Sequence, residues 1–242
     1  MDTASYVILT RQTGLKKELN AVANNVANLN TTGYQRQGVV FSEMVQSLQT
    51  DGGSVAMSGA RGRYNDELQG ALVQTGGRLD MAVEGDGYFQ VLTPAGERLT
   101  RAGAFTRDNI GQVVNMDGYP LLNDGGGPIV IPFEAENVDI GPDGTVSVDG
   151  DPVGRVGLFV PEDPTTVQRE AGTIYRVDGE VIPVETPDGR IVQGFVEQSN
   201  VNAITEIARM IEVQRAYERG QKLLEQENER ISKTVDTLGK TQ

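Results

Sequence analysis

The two ends of the chain carry apolar residues at intervals of seven, and this pattern constrains the fold more than any other feature. The series near the start comprises Ile8, Leu15, Val22 and Leu29, with Leu19 and Val26 four positions after two of its members. The series near the end comprises Ala203, Met210, Tyr217, Leu224, Ile231 and Leu238. This spacing predicts helices with narrow apolar stripes, which only another helix covers. We therefore expect the ends to pair with each other or with other chains.

Two arrangements of these helices are compatible with the pattern. The first is an ordinary helical hairpin within one chain. It requires the closure of a connection of about 170 residues for one thin contact, and that closure has an entropic cost. The second is pairing between chains, which avoids the closure and indicates a protein that assembles.

The residues between the helices favour an antiparallel β-domain. Short apolar or alternating runs such as Tyr88–Leu92, Ile129–Ile131 and Thr145–Val148 are separated by turn dipeptides such as Asp143-Gly144 and Asp149-Gly150. Asp-Gly dipeptides favour the tight turns of β-hairpins. The predicted fold class is α+β, in which N- and C-terminal α-helices form a coiled-coil-like helical domain beside a central antiparallel all-β domain.

Glycine positions suggest the segment boundaries. The first helix is expected within residues 1–33 and should end before Gly33, which suits a left-handed position after a helix. Residues 34–76 show no sustained period and several glycines, so we expect an extended connector with short strands. The β-domain is expected over 77–198. The second helix is expected over 199–242, and with the first it should form the helical core domain.

Composition excludes several classes of function. The chain contains no cysteine and no histidine, which removes disulfides, thiolate metal sites and the common nucleophilic triads. Residues 38–202 carry ten Lys/Arg against twenty-five Asp/Glu, a net charge of −15, whereas the two ends are close to neutral. Such an acidic middle repels nucleic acid and anionic lipid. We therefore expect no nucleic-acid partner, no metal and no cofactor.

No segment has the length and apolarity of a membrane span, and the first thirty residues lack the apolar core of a signal peptide. We expect a chain that does not span a membrane. If it leaves the cytosol, it should do so without a cleavable signal peptide.

Three asparagines form a second stripe on the first helix, away from its apolar stripe. They are Asn24, Asn25 and Asn28, and each is a poor helix former. One interpretation is a helix that weakens towards its end. The other is a helix contacted on several sides, as in a packed assembly, because amides donate and accept hydrogen bonds.

Carboxylates, lysine, tyrosine and hydroxyl groups remain available for catalysis, and the acidic turns offer one candidate pair of carboxylates. Glu84 and Asp86 flank a glycine, and paired carboxylates of this kind serve glycan hydrolases when they lie about 5–9.5 Å apart in a cleft. Without a pocket motif, solvated hairpin turns are the better interpretation. The stretch from Asp143 to Asp149 lacks the glycine and glutamate of a calcium-binding EF-hand loop. A secreted carboxylate-dependent glycan hydrolase and a binding module on a helical stalk remain the alternatives from other classes.

Several blocks of sequence, in matching order, resemble the flagellar rod and hook family. They are Asn24 to Asn28 with Thr32-Gly33-Tyr34, then Leu79 to Gln90, Thr100 to Arg107 and Asp117 to Pro120, and finally Ser199 to Asn202 with Gln214 to Glu218. Within the family, the short length and the opening residues are most similar to the proximal-rod branch, and the distal-rod branch is the close alternative. Gln35 departs from the family pattern, because a basic residue commonly follows the aromatic residue there.

The resemblance implies a structural, non-enzymatic subunit of the basal-body rod, the axial drive shaft that transmits torque for motility. It implies export through the flagellar type III apparatus and location in the rod within the periplasm. The implied partners are proximal and distal rod subunits, further copies of the chain in a helical or ring assembly, and the export apparatus. The predicted assembly interface comprises Ile8, Leu15, Leu19, Val22, Asn24, Asn25, Val26, Asn28, Leu29, Ala203, Met210, Tyr217, Leu224, Ile231 and Leu238.

Overall fold

The computed structural model of the chain describes residues 3–47, 54–184 and 188–239. It divides into two compact units that each combine distant parts of the chain. The helical unit comprises Met1–Ala27, Arg36–Asp66 and Asn202–Gln242, and the β-unit comprises Asn28–Gln35 and Glu67–Val201.

The helical unit contains both predicted terminal helices. Helix α1 spans Thr3–Ala27 and helix α2 spans Ala203–Gly239. Asn202 caps the start of α2, since its side-chain oxygen accepts hydrogen bonds from the backbone N–H groups of Ile204 and Thr205 at 3.0 and 3.2 Å. The α+β class is therefore confirmed, with a helix at each end of a region of antiparallel strands.

The two helices pair within the chain and run antiparallel. The Gln12 side chain donates a hydrogen bond to the backbone oxygen of Tyr217 at 2.8 Å, and Arg209 donates to Glu18 at 2.7 Å. Glu18 comes after Gln12 in α1, whereas its partner Arg209 comes before Tyr217 in α2, so the two helices run in opposite directions. At the crossing point Gly220 has no side chain, and a Cβ there would lie 2.0 Å from the amide nitrogen of Gln12. Glycine thus leaves room for the Gln12 side chain to reach the backbone of α2.

A long hairpin packs against α1 in the same unit. Strand β1 spans Gln37–Ser47 and strand β2 spans Ser54–Asn65, and they pair antiparallel with a register shift after Val40. These strands are longer than the short strands expected in the connector over residues 34–76. The reason is that two glycines of this segment, Gly59 and Gly62, pair inside β2 instead of interrupting it. Gly38 pairs with Tyr64, whose ring occupies the space that a Cβ at Gly38 would need.

The β-unit is built from short strands that all pair antiparallel in the described residues, as predicted for the central region. Its strands are β3 Leu72–Gln74, β4 Met81–Gly85, β5 Phe89–Thr93, β6 Gly96–Thr100, β7 Phe105–Arg107, β8 Val113–Asn115, β9 Val138–Ile140, β10 Thr145–Val148, β11 Asp151–Arg155, β12 Phe159–Pro161, β13 Val167–Ala171, β14 Ile174–Val177, β15 Val181–Pro183, β16 Gly189–Gln193 and β17 Phe195–Glu197. The largest sheet has the order β13-β14-β6-β5, and a second has the order β11-β10-β9. The other strands form the pairs β12-β15, β16-β4, β17-β3 and β7-β8.

The predicted Asp-Gly turn at residues 149 and 150 connects β10 to β11. Val148 pairs with Asp151, so the turn has two residues, and both have positive φ, 52° at Asp149 and 94° at Gly150. Positive φ at both positions defines the type I′ turn, which matches the twist of paired strands. The turn therefore fixes the register of this hairpin.

One large apolar cluster holds the β-unit together. Its most deeply buried members include Val83, Phe89, Val91, Leu121 and Ile131. Phe89 also contacts Phe105 edge to face, with ring centroids 5.4 Å apart. A smaller cluster around Tyr88, Leu99, Phe159 and Tyr175 lies beside β6 and β14.

A glycine in the β-unit provides a test of this packing. A Cβ at Gly103 would lie 1.5 Å from the backbone oxygen of Met81, so the backbone must move in Gly103→Ala. We expect a loss in the free energy of unfolding of about 3 kcal/mol, the upper end of the cost of overpacking. Gly154→Ala is the matched control, because a Cβ there meets nothing within 4 Å, and it should change stability by less than about 1 kcal/mol. Urea unfolding followed by circular dichroism measures both, and equal effects would contradict the packing described.

Candidate assembly interface

The predicted interface residues occupy different environments. Val22 and Asn25 are buried, whereas Asn24 and Ile231 are exposed. The half-buried residues are Ile8, Leu15, Leu19, Val26, Ala203, Met210, Tyr217 and Leu224 in the helical unit, and Asn28 and Leu29 in the β-unit. The Leu238 side chain lies outside the described part of the structure. Most of the helical-unit residues are thus only partly covered in the single chain, and their role in assembly stays a prediction.

The residues that α2 buries most deeply were missed by the sequence analysis. They are Glu206 and Val213, and the same interval of seven continues through half-buried Gly220 and Glu227. Three of these four residues are not apolar, so a search for apolar periodicity passes over them. The exposure pattern of α2 could not have been predicted from hydrophobicity alone.

A polar cluster explains why a glutamate is buried at the start of α2. The side-chain nitrogen of Asn25 donates to a carboxylate oxygen of Glu206 at 3.0 Å and to the backbone oxygen of Gln37 at 2.9 Å. The side-chain oxygen of Asn25 accepts from the backbone N–H of Gln37 at 2.9 Å. Arg36 donates from Nε to the other Glu206 oxygen at 2.6 Å. This hydrogen bond is the largest cause of the raised pKa of Arg36.

The cluster joins α1, α2 and the chain entering β1. Glu206 is 1% exposed and Asn25 is 0% exposed, so each lost partner would leave a buried polar group unsatisfied at a cost of about 1–3 kcal/mol. Asn25 is thus an amide contacted by two other elements, whereas the neighbouring Asn24 faces outward. The three predicted amides therefore do not act as one stripe.

In the β-unit, the segment after α1 is held by aromatic and basic side chains. The guanidinium carbon of Arg169 lies 4.2 Å from the ring centroid of Tyr34 and 5.2 Å from that of Tyr175. Arg169 also donates to the backbone oxygen of Gln35 and, at 3.0 Å, to the Tyr175 hydroxyl. The Tyr88 hydroxyl donates to the Gln35 side chain at 3.2 Å. Gln35, the departure from the family pattern, is therefore a buried hydrogen-bonding residue.

A buried ion pair lies close to this segment. Arg101 donates to Glu197 at 3.2 Å, and both side chains are buried. Glu197 also accepts from the backbone N–H of Gly70, and its backbone oxygen accepts from Gly33. Burial raises the pKa of Glu197, and the Arg101 charge opposes that shift. Gly33 has φ +68°, and a Cβ there would lie 2.2 Å from the Ala102 nitrogen, so only glycine fits.

The acidic turns are occupied by local contacts. Glu84 forms an exposed ion pair with Arg190 at 2.7 Å, and Asp143 accepts hydrogen bonds from the backbone N–H and hydroxyl of Thr145. The Thr145 hydroxyl is the largest cause of the lowered pKa of Asp143. Among the described residues, no group of acidic side chains is arranged to hold a metal ion. None of the helices described there has the length and apolarity to cross a membrane.

Comparisons with known proteins identify the family. Models of three families match this chain: flagella basal body rod protein at residues 6–35, flagellar hook protein FlgE/F/G D1 domain at 82–148, and flagellar basal body rod FlgEFG protein C-terminal at 192–237. The flagellar basal-body rod protein FlgF of Caulobacter vibrioides is 41% identical over 99% of both chains. This chain belongs to the flagellar basal-body rod protein family.

Two further relatives show the range of the family. FlgF of Rhizobium meliloti is 34% identical over 99% of both chains. The rod protein FlgG of Bacillus subtilis is 31% identical over 96% of this chain and 97% of its own length. Rod proteins are structural, so the chain is a structural subunit located in the basal-body rod and not an enzyme. Like the rest of the family, it assembles with other rod subunits.

The structure shows how the family's two terminal regions meet. Asn25 lies in the N-terminal match and Glu206 lies in the C-terminal match, and their side chains share a hydrogen bond. In the β-unit, Gly33 of the N-terminal match donates to the backbone oxygen of Glu197 in the C-terminal match at 2.8 Å. The terminal regions of this rod protein are therefore structural partners in each unit.

The stacked position of Arg169 generates a test of how the segment after α1 is held. In Arg169→Lys the charge remains, but an ammonium cannot stack flat between Tyr34 and Tyr175. We expect the free energy of unfolding to fall by about 1–2 kcal/mol. Arg176→Lys, at a more exposed arginine paired with Asp178, should have an effect near zero. Thermal and urea unfolding of the full chain measure both variants. If Arg169→Lys were as stable as the unchanged protein, stacking would contribute nothing to stability.

Proposed function

We propose that this chain is the FlgF-type subunit of the proximal rod. The support is the likeness to two FlgF proteins, 41% and 34% identical over 99% of this chain, against 31% for FlgG of Bacillus subtilis. A position in the distal rod, as an FlgG-type subunit, is the alternative within the family. The glycan hydrolase proposed from the acidic turns is not supported, because the family is structural.

We propose that the helical unit, which contains the helices α1 and α2 predicted within 1–33 and 199–242, assembles through coiled-coil-like packing into the axial core of the rod. The observation that carries this proposal is the unequal length of the helices. Helix α2 has 37 residues and α1 has 25. The antiparallel contacts place the start of α1 opposite a point about ten residues before the end of α2. These last residues form about 15 Å of helix and extend beyond the start of α1.

This extension carries apolar side chains that the described chain leaves uncovered. Ile231 is 40% exposed and Val235 is 63% exposed. Burying such side chains against a neighbour contributes about 1.5–3 kcal/mol for each fully buried residue. In a rod of repeated subunits the same contact recurs, so even a modest contribution for each subunit stabilises the whole assembly.

The charge distribution supports an outward position for the β-unit. Residues 67–201, which form most of the β-unit, carry eight Lys/Arg and twenty-two Asp/Glu, a net charge of −14, whereas residues 203–242 carry seven Lys/Arg and seven Asp/Glu. Acidic surfaces repel one another when packed closely but remain well solvated at the outside of an assembly. The neutral α2 region can pack densely without that repulsion, so torque is transmitted through the helical core.

Export and location follow from the family in this proposal. The chain reaches the rod within the periplasm through the flagellar type III export apparatus. The support is the family relationship.

The extension of α2 gives a direct test in living cells. Ile231→Asp places a carboxylate where a neighbour is expected to bury an apolar side chain, and an unpaired buried charge is strongly unfavourable. We expect loss of motility and incomplete rods in electron micrographs of basal bodies. The purified variant should keep its stability, because Ile231 is already exposed in the single chain.

Ser232→Asp is the matched control, since it introduces the same charge at the adjacent exposed position outside the apolar series. It should support normal motility. Full motility with Ile231→Asp, or equal defects in the two variants, would contradict an assembly contact at this extension.

A further inference from the structure

We propose that Glu197 and Asn200 form a clasp that holds together the three segments through which the β-unit is connected along the chain to the helical unit, so that a force on one segment is shared by all three. Every residue of the clasp lies within the β-unit. The part that the clasp plays in torque transmission rests on the proposed function, whereas the clasp itself is a property of the single chain.

The course of the chain defines the three segments. The chain crosses between the two units four times, after Ala27, Gln35, Asp66 and Val201. The β-unit is therefore connected through a first segment over 28–35, a middle segment over 67–71 and a last segment over 196–201. A force that travels along the chain from one unit to the other enters the β-unit through these segments.

Glu197 in the last segment contacts both of the other segments. Its carboxylate accepts a hydrogen bond from the backbone N–H of Gly70 at 2.9 Å, and its backbone oxygen accepts one from Gly33 at 2.8 Å. Glu197 is buried, so the loss of either bond leaves a buried polar group without its partner. One residue thus joins all three segments.

Asn200, three residues later, makes a second set of contacts between the same segments. Its side chain donates to the backbone oxygen of Leu68 at 2.7 Å, and its backbone N–H donates to the backbone oxygen of Tyr34 at 3.3 Å. Between the two clasp residues, the backbone N–H of Gln198 donates to the backbone oxygen of Ala71 at 2.9 Å. The last segment therefore holds each of the other two at more than one point, so the segments cannot pivot about a single bond.

A glycine allows the middle and last segments to touch through their backbones. A Cβ at Gly70 would lie 1.9 Å from the backbone oxygen of Gln198, so no side chain fits between the two segments at this point. The hydrogen bonds of the clasp are short for this reason, and any larger residue at position 70 would force the segments apart.

Arg101 connects the clasp to the body of the β-unit. It donates to the Glu197 carboxylate at 3.2 Å and to the backbone oxygen of Gly85 in β4 at 2.9 Å. Its guanidinium carbon also lies 5.0 Å from the ring centroid of Tyr88, a member of the smaller apolar cluster. A force on the clasp is therefore passed to a strand and to a packed cluster.

Single-molecule force spectroscopy tests the clasp, because its contribution depends on where the force is applied. Handles at the two ends of the full chain first unzip the antiparallel helices, and the force then acts on the β-unit through its first and last segments, across the clasp. Glu197→Gln keeps the size of the side chain but leaves Arg101 buried without its counter-charge. We expect the β-unit of this variant to unfold about tenfold faster than that of the unchanged chain at the same force.

A second pair of handles pulls the same unit without loading the clasp first. The chain contains no cysteine, so Met116→Cys and Val153→Cys, at two exposed positions of the β-unit, attach handles at those positions alone. A substitution accelerates unfolding only when its contacts are already broken in the transition state. In this direction Glu197→Gln should therefore change the unfolding rate by less than about twofold.

Glu84→Gln is the matched control, since it makes the same change in an exposed ion pair of the same unit, and it should leave both rates unchanged. Equal acceleration of Glu197→Gln in the two pulling directions would show general destabilisation and overturn the proposal, and so would an unchanged rate when the chain is pulled by its ends. If Glu197→Gln does not fold, the milder Asn200→Ala decides by the same comparison. Absence of the chain from purified basal bodies would instead contradict the proposed function and would leave the clasp standing.

Discussion

The buried hydrogen bond between Asn25 and Glu206 is the interaction on which the arrangement of the helical unit depends. It joins residues 181 positions apart, and Arg36 and Gln37 complete the bonding of the same two side chains. Apolar stripes alone can slide along each other with little change in free energy. A polar pair inside the seam has one satisfied alignment, so it sets the register of the two helices. The seam contacts of Gln12 and Arg209 follow from that alignment.

A defined register has consequences for assembly. It leaves the end of α2 extending beyond α1, since α2 has 37 residues and α1 has 25. The contact proposed above for the rod uses this extension. In this account the single chain already presents its binding surfaces, and assembly adds contacts to a formed helical unit. A rod that transmits torque benefits from such subunits, because less conformational freedom is lost when each one joins.

Sequence periodicity predicted the terminal helices, the antiparallel β-region and individual turns, because local spacing and Asp-Gly dipeptides reflect local backbone geometry. The run Thr145–Val148 forms β10 as predicted, whereas Ile129–Ile131 contains only one isolated bridge, from Val130 to Gln112. The long hairpin of β1 and β2 was not predicted, because glycines in a sequence favour interruptions of a strand. In the structure the Tyr64 ring packs where a side chain at Gly38 would lie, so a glycine is needed inside this strand. Glu206 and Arg169 were also missed. Their roles depend on partners far away in the sequence, and no local pattern records such partners.

A double-mutant cycle between Asn25→Ala and Glu206→Ala tests most directly whether this pair unites the two ends of the chain. The free energy of unfolding of the full chain is measured for both single variants and for the double variant. The account predicts a coupling free energy of about 1–3 kcal/mol, because the two side chains share one buried network. Asn25→Ala combined with Glu212→Ala, at an exposed glutamate of the same helix, should be additive within about 0.5 kcal/mol. Additive effects for Asn25 and Glu206 would contradict the account.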